Sequence, residues 1–191
     1  MEFQHINIKL FVENQERIEQ EKFTPIFQRW IQEQNCPELL IDVADYLHVP
    51  AGPGIVLVAH EADYSMDNSD SRLGLRYNRK TEVKGDDQAR ITQALSAALT
   101  ACQRLEGDPL MGGKLKFARQ EIQIFVNDRA LAPNNEESLA KFRPILEGYF
   151  KTLLGDFAPT FQFETDARKR LGVTLKTSKP FDLEALAKKI P

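Results

Sequence analysis

The chain has little cysteine, no long apolar run and no marked excess of either charge, and each absence argues against a class of protein. Its two cysteines, Cys36 and Cys102, show no CxxC spacing and are too few for a disulfide framework. No apolar stretch approaches the roughly 18 residues of a membrane-spanning helix, so no membrane span is expected. The formal net charge of −3 argues against general nucleic-acid binding, which needs clustered lysine and arginine.

Short catalytic and ligand-binding motifs are also missing. GxSxG does not occur, Gly112-Gly113-Lys114 lacks the pattern of a P-loop, and His60-Glu61 does not continue into HExxH. The first residues lack the basic segment and long apolar core of a secretory signal peptide. We therefore expect a cytoplasmic protein with no cofactor and no bound metal.

What the sequence does contain is one stretch that occurs twice. Residues 22–31 read KFTPIFQRWI and residues 141–150 read KFRPILEGYF. The shared apolar positions follow the spacing i, i+1, i+3, i+4, i+7 and i+8, which is one face of an amphipathic helix. Proline stands at the same place in both copies, which predicts that each helix either begins or is kinked there.

The similarity extends to the strands on both sides of these helices. Ile8–Asn14 resembles Ile122–Asp128, which also precedes its helix, and Gly54–Leu57 resembles Gly172–Leu175, which follows it. Three similar blocks in the same order favour an internal duplication over coincidence. The predicted unit is strand–helix–strand–strand–helix.

The two predicted repeats occupy residues 1–110 and 114–191 and are expected to pack as one compact unit. Residues 60–80 have no counterpart in the second repeat, so the first repeat carries an insertion. Its first part, through Ser71, is acidic and predicts a loop, whereas residues 72–80 alternate and predict one extra strand. The predicted fold class is α+β, with helices packed on a mixed sheet or sheets.

The inserted strand has one apolar face and one basic face. Arg72, Arg76 and Lys80 share the basic face, and the planar guanidinium of arginine suits carboxylate and phosphate anions. We interpret residues 60–80 as the recognition surface of a non-catalytic binding or accessory protein, with a protein or a small anionic ligand as its partner. A structural alternative is that basic side chains on an edge strand only discourage aggregation.

A second hypothesis from another class is a small metal-assisted hydrolase. Its candidate catalytic residues are Asp42, Asp45, His60 and Glu61, which flank a predicted hairpin turn over residues 50–54 and would approach each other across the two strands. Acidic and histidine side chains also cluster on solvated loops, which is the more common situation. The sequence leaves open the identity of the partner or substrate, whether a reaction is catalysed, and the oligomeric state.

Overall fold

A computed structural model describes residues 2–190, which form one eight-stranded sheet and four α-helices, so the predicted α+β class is confirmed. The strands are β1 (Ile6–Phe11), β2 (Leu40–Tyr46), β3 (Gly54–Ala59), β4 (Ala62–Asp67), β5 (Gly74–Arg79), β6 (Glu121–Val126), β7 (Thr160–Phe163) and β8 (Gly172–Lys176). The helices are α1 (Phe23–Glu33), α2 (Asp87–Gly107), α3 (Glu136–Leu154) and α4 (Leu183–Lys189).

The strand order is β2-β3-β4-β5-β1-β6-β8-β7, and every neighbouring pair is antiparallel. The predicted mixed pairing is therefore wrong. Short turns join β2 to β5 in succession, and such turns connect only antiparallel neighbours. The connection that contains α1 joins β1 to β2, and the connection that contains α2 joins β5 to β6. Neither of these pairs is adjacent in the sheet, so neither connection creates a parallel pair.

The insertion contributes two strands, β4 and β5, where the sequence predicted a loop and one strand. Ala62, Tyr64 and Met66 face the core, so β4 does alternate. On its other face, Asp63 pairs with Lys80, which directly follows β5, and Asp67 pairs with Lys9 of β1 and Arg76 of β5. The cations that neutralise these acids lie outside β4. The local sequence therefore contains only the acids, and an acidic segment predicts a loop.

The repeated proline has a different place in each of the two helices. Asn135 caps α3, since its side chain accepts a hydrogen bond from the amide of Ser138 at 2.9 Å. The first helix begins at Phe23, so Pro25 lies in its first turn, whereas Pro144 lies inside α3. Two short 3-10 turns, Gln15–Arg17 and Gln20–Lys22, precede α1. Of the described helices, none combines the length and apolarity that crossing a membrane requires.

All four helices pack on one face of the sheet. Trp30 of α1 makes an edge-on contact with Tyr64 of β4, and Gln93 of α2 donates a hydrogen bond to the hydroxyl of Tyr77 in β5. Helix α3 reaches α2 through Tyr149, and α4 also packs against α2. Trp30 and Tyr149 are both buried, as the repeated helical face predicts.

The other face of the sheet carries polar side chains and none of the described helices. One line of directly paired residues crosses six strands of this open face, and we call it the polar row. Its members, in sheet order, are Ser65, Arg76, Lys9, Gln123, Thr174 and Gln162.

Candidate anion-binding site

The candidate catalytic residues are spread along the β2–β3–β4 edge of the sheet. Asp42 pairs across the ladder with Val58, two residues before His60, and Asp45 pairs with Ile55 near the other end of the hairpin. Residues at opposite ends of a hairpin cannot act on one reacting group. The structure therefore does not gather the acids of β2 around His60.

The two acids of β2 hold the backbone of their own strand. Asp42 accepts a hydrogen bond from the amide of Val43, and Asp45 accepts one from the amide of Leu47, each at 2.8 Å. Both side chains lie on the exposed edge strand β2. Such local bonds from an aspartate to a nearby amide are common in turns and at strand ends and do not indicate chemistry.

The other two candidates lie in the tight turn between β3 and β4. His60 is exposed, and its Nδ1 is 3.4 Å from Glu61 Oε1, while Glu61 Oε2 accepts a hydrogen bond from the Leu39 amide at 3.0 Å. That backbone hydrogen bond is the main cause that lowers the pKa of Glu61. Within residues 2–190, no three histidine, cysteine, aspartate or glutamate side chains are close enough together to hold a metal ion.

The three cations predicted to form the partner surface each contact a carboxylate of the chain. Strand β5, which carries Arg76, lies inside the sheet, so the edge-strand alternative does not apply to it. The pairs are Arg72 with Glu121 (two bonds, each 2.9 Å), Arg76 with Asp67 (3.1 Å) and Lys80 with Asp63 (2.7 Å).

A groove with a volume of about 530 Å³ lies on the open face beside two of these cations. Its floor contains Gln123, Thr174 and Gln162, the last three members of the polar row. The β4–β5 connection, residues 68–73, forms one wall, and the β7–β8 connection, residues 164–171, forms another. The volume falls within the range of small-ligand sites, although the lining is more polar than most of them.

Three arginines from separate parts of the chain line this groove. Arg76 comes from β5, Arg129 from the segment after β6, and Arg170 from the connection before β8. Arg76 uses Nη1 for Asp67, and its Nε is buried without a hydrogen-bond partner among the described residues. Arg129 donates to the carbonyl of Arg168, and neither Arg129 nor Arg170 forms an ion pair within residues 2–190.

Close backbone packing shapes the groove beside Arg170. Gly172 is paired with Phe125, and a Cβ at Gly172 would lie 2.9 Å from the carbonyl oxygen of Ile124. Because Gly172 has no side chain, nothing projects from the floor of the groove at this position. The guanidinium of Arg170 is then free to lie 5.3 Å from the centroid of the Phe125 ring, a cation–π contact.

The charges around the groove act on one another. Arg170 is an exposed residue, but the protein removes part of the water around its guanidinium group. This desolvation is the largest cause that lowers the pKa of Arg170. Repulsion from Arg76 and then from Arg129 lowers that pKa further, and Asp67 opposes the effect. The arginines therefore share one positive field, which an anion would relieve.

Below the groove, a buried ion pair fixes one of its walls. Lys9 Nζ donates to Asp67 Oδ2 at 2.6 Å, and both side chains are almost completely buried. Asp67 also accepts a hydrogen bond from the hydroxyl of Ser69 at 2.7 Å, which anchors the β4–β5 connection. Burial lowers the pKa of Lys9, and the charge of Asp67 acts in the opposite direction.

Sequence reasoning identified Arg72 and Arg76 but missed Arg129 and Arg170. Arg129 lies between β6 and α3 and Arg170 between β7 and β8, in irregular segments where no periodic pattern marks which way a side chain points. The one available signal was the basic run Arg168-Lys169-Arg170 directly before a strand.

Comparisons of the chain with protein-family models, with curated proteins and with solved structures found no match.

Proposed function

We propose that the chain is a non-catalytic binding protein that holds an anionic group of a protein partner or small ligand in the groove on its open sheet face. The observation that carries this proposal is the set of three arginines, Arg76, Arg129 and Arg170, around a groove in which the last two have no ion-pair partner among the described residues. Arginine forks bind carboxylate and phosphate through paired hydrogen bonds. The insertion supplies Arg76 and one wall of the groove, so the proposal keeps part of residues 60–80 as the recognition surface.

No specific observation favours the alternative of a metal-assisted hydrolase. Its four candidate residues lie along one sheet edge, and all four side chains already contact neighbouring backbone or each other. Three of the four carboxylates that line the groove, Asp67, Glu121 and Glu164, are already held in ion pairs with cations of the chain. Binding is the function that this arrangement supports best.

Thermal unfolding in the presence of anions tests the proposal. Citrate, compared with sodium chloride at equal ionic strength, should raise the melting temperature of the wild type. A ligand at about ten times its dissociation constant stabilises by about 1.4 kcal/mol, which is roughly 3–6 °C for a domain of this size. Arg170→Gln should lose most of this shift because the citrate carboxylates would lose a guanidinium partner.

Arg17→Gln is the matched control, because Arg17 is also exposed but lies outside the groove. It should keep the full shift. If neither citrate nor phosphate stabilises the wild type beyond chloride, or if Arg17→Gln and Arg170→Gln behave alike, the groove is not an anion site and the proposal is wrong.

We also infer the internal duplication from the order of the strands. Outward from the central pair, β1 is followed by β5, β4, β3 and β2, and β6 is followed by β8 and β7. Without the inserted hairpin β4–β5, each half would read first strand, third strand, second strand. Superposing residues 6–58 on residues 120–176 should place Phe23 on Phe142, and unrelated helix orientations would contradict the duplication.

A cytoplasmic location remains part of the proposal. Cys36 and Cys102 are both free thiols, which accords with a reducing compartment. Fractionation of the native cells followed by immunodetection would test the location directly.

A further inference from the structure

The charges of the groove do not cancel. Six cationic and four anionic side chains line it. Three of the four anions are already held by cations, in the pairs Glu121 with Arg72, Glu164 with Lys169, and Asp67 with the underlying Lys9. The remaining lining charges are four cations, Arg76, Arg129, Arg170 and Lys176, and one carboxylate, Asp70. Arg76 also contacts Asp67, which it shares with Lys9.

This excess is larger than one carboxylate ligand would neutralise. A carboxylate carries a single negative charge, whereas a phosphate monoester carries about two at pH 7 and presents three acceptor oxygens. The three guanidinium groups approach from β5, from the segment after β6 and from the connection before β8. Donors from three directions match an anion with three oxygens better than the planar, two-oxygen carboxylate.

We propose that the groove is a binding site for a phosphate monoester, with Arg76, Arg129 and Arg170 contacting the phosphoryl oxygens. This inference rests on the proposed function and specifies its ligand class. The charge of Arg76 is only partly neutralised in the chain, because Arg76 shares the carboxylate of Asp67 with Lys9.

The floor of the groove suits the group that carries the phosphate. Gln123, Thr174 and Gln162 lie side by side on three adjacent strands and offer neutral hydrogen-bond donors and acceptors. Neutral amides and a hydroxyl recognise hydroxyl or peptide groups without adding charge. A phosphoserine side chain in an extended peptide and a sugar phosphate both present such groups beside the monoester.

Isothermal titration at constant ionic strength tests this site with four probes: a short phosphoserine peptide, the same peptide with glutamate or with serine at that position, and a hexose phosphate. We expect the phosphoserine peptide or the hexose phosphate to bind at least roughly tenfold more tightly than the glutamate peptide, because each extra charge-assisted hydrogen bond contributes more than a neutral one. The relative affinity of those two probes tells a peptide carrier from a small-molecule carrier.

Arg129→Gln and Arg170→Gln should each weaken binding by roughly tenfold. Both residues are exposed, so these variants should fold, and a thermal unfolding curve checks that they do. Arg17→Gln should bind as the wild type does. Amide shifts of Gly172 and Thr174 in an NMR titration locate the bound probe in the groove.

The outcomes separate the two proposals. Equal affinity for the glutamate and phosphoserine peptides, with both lost in Arg170→Gln, would overturn the phosphate assignment and leave an anion site. Binding of neither phosphorylated probe while citrate still stabilises the protein would do the same. Phosphate binding that is unchanged in both Arg129→Gln and Arg170→Gln would place the ligand elsewhere and would contradict both proposals.

Discussion

Lys9 and Asp67 form a 2.6 Å ion pair although strand β5 lies between their strands, β1 and β4. The lysine side chain crosses over Gly74, which is paired with both Phe11 and Asp67. A Cβ at Gly74 would lie 3.0 Å from Lys9 Cε. The missing side chain at this position therefore gives the ion pair its path across the sheet.

Removing the anion of this pair should destabilise the protein more than removing the cation. Asp67→Asn leaves Lys9 and Arg76 next to each other without a counter-charge, and a buried charge that loses its partner costs about 3–5 kcal/mol. Lys9→Met should cost less, because Asp67 keeps Arg76 and the hydroxyl of Ser69. Denaturant unfolding measures both changes in free energy.

Glu184→Gln serves as the control for this comparison, since it breaks an exposed ion pair with Lys188 within α4. Its free energy of unfolding should stay close to that of the wild type. Equal destabilisation by Asp67→Asn and Lys9→Met would show that Arg76 does not stabilise the carboxylate of Asp67 once Lys9 is removed.

A methyl group at Gly74 should disturb the sheet itself. The Cβ of Gly74→Ala would lie 2.5 Å from the carbonyl oxygen of Leu10, so β5 and β1 would have to move apart. We expect a loss of about 1–3 kcal/mol, as for other overpacked sites. Gly148→Ala is the matched control, because Gly148 lies inside α3 with no atom within 4 Å of the added Cβ, and it should be neutral or stabilising.

Two buried tyrosines should make the protein sensitive to alkali. The hydroxyls of Tyr64 and Tyr77 donate to the two oxygens of buried Glu38 at 2.6 and 2.8 Å. Burial, followed for Tyr64 by the charges of Cys36 and Glu38, raises the pKa of each tyrosine. Burial also raises the pKa of the Cys36 thiol to about 11.

These raised pKa values should make the folded protein less stable as the pH rises. A group whose pKa is higher in the folded than in the unfolded state contributes stability at pH values below its unfolded pKa, and that contribution is lost as the pH rises. Stability should therefore fall above about pH 9 for the thiol and above about pH 10 for the tyrosines. Tyr64→Phe should reduce the slope above pH 10 by about 1.4 kcal/mol per pH unit, measured by denaturant unfolding between pH 8 and 11. An unchanged slope would mean that Tyr64 ionises in the folded protein.

The parts of the fold that sequence predicted well are those set by local periodicity. The repeated apolar positions of residues 22–31 and 141–150 recur at helical spacing, and Phe23, Trp30, Phe142 and Tyr149 are all buried as expected. A helix satisfies its own backbone hydrogen bonds, so its pattern is readable within one segment.

The parts that sequence missed depend on residues far apart in the chain. Strand β4 was hidden because Asp67 is neutralised by Lys9 and Arg76, which lie on other strands. The groove was hidden because Arg129 and Arg170 come from connections whose side-chain directions no period fixes. Neither partnership can be inferred from a window of sequence, since β-sheet neighbours are chosen by the whole topology.

Asp42 and Asp45 of β2 should protect the protein from self-association, because they lie on an edge of the sheet. Strand β2 is an edge of the sheet, and four of the exposed large apolar side chains lie on it or beside it: Leu39, Ile41, Tyr46 and Val49. An exposed apolar edge pairs readily with other chains unless charges oppose it. Asp42 and Asp45 supply those charges, and Asp42 also occupies the amide of Val43.

Asp42→Asn combined with Asp45→Asn should therefore promote self-association that grows with protein concentration, measured by sedimentation velocity and light scattering. The control pair, Glu13→Gln with Asp156→Asn, removes the same amount of charge from exposed positions away from β2 and should leave the sedimentation behaviour of the wild type unchanged. Association in both double variants would indicate a general effect of net charge. Association in neither would show that the edge is protected by its shape or by the bulge between Leu40 and Asp42 instead of by its acids.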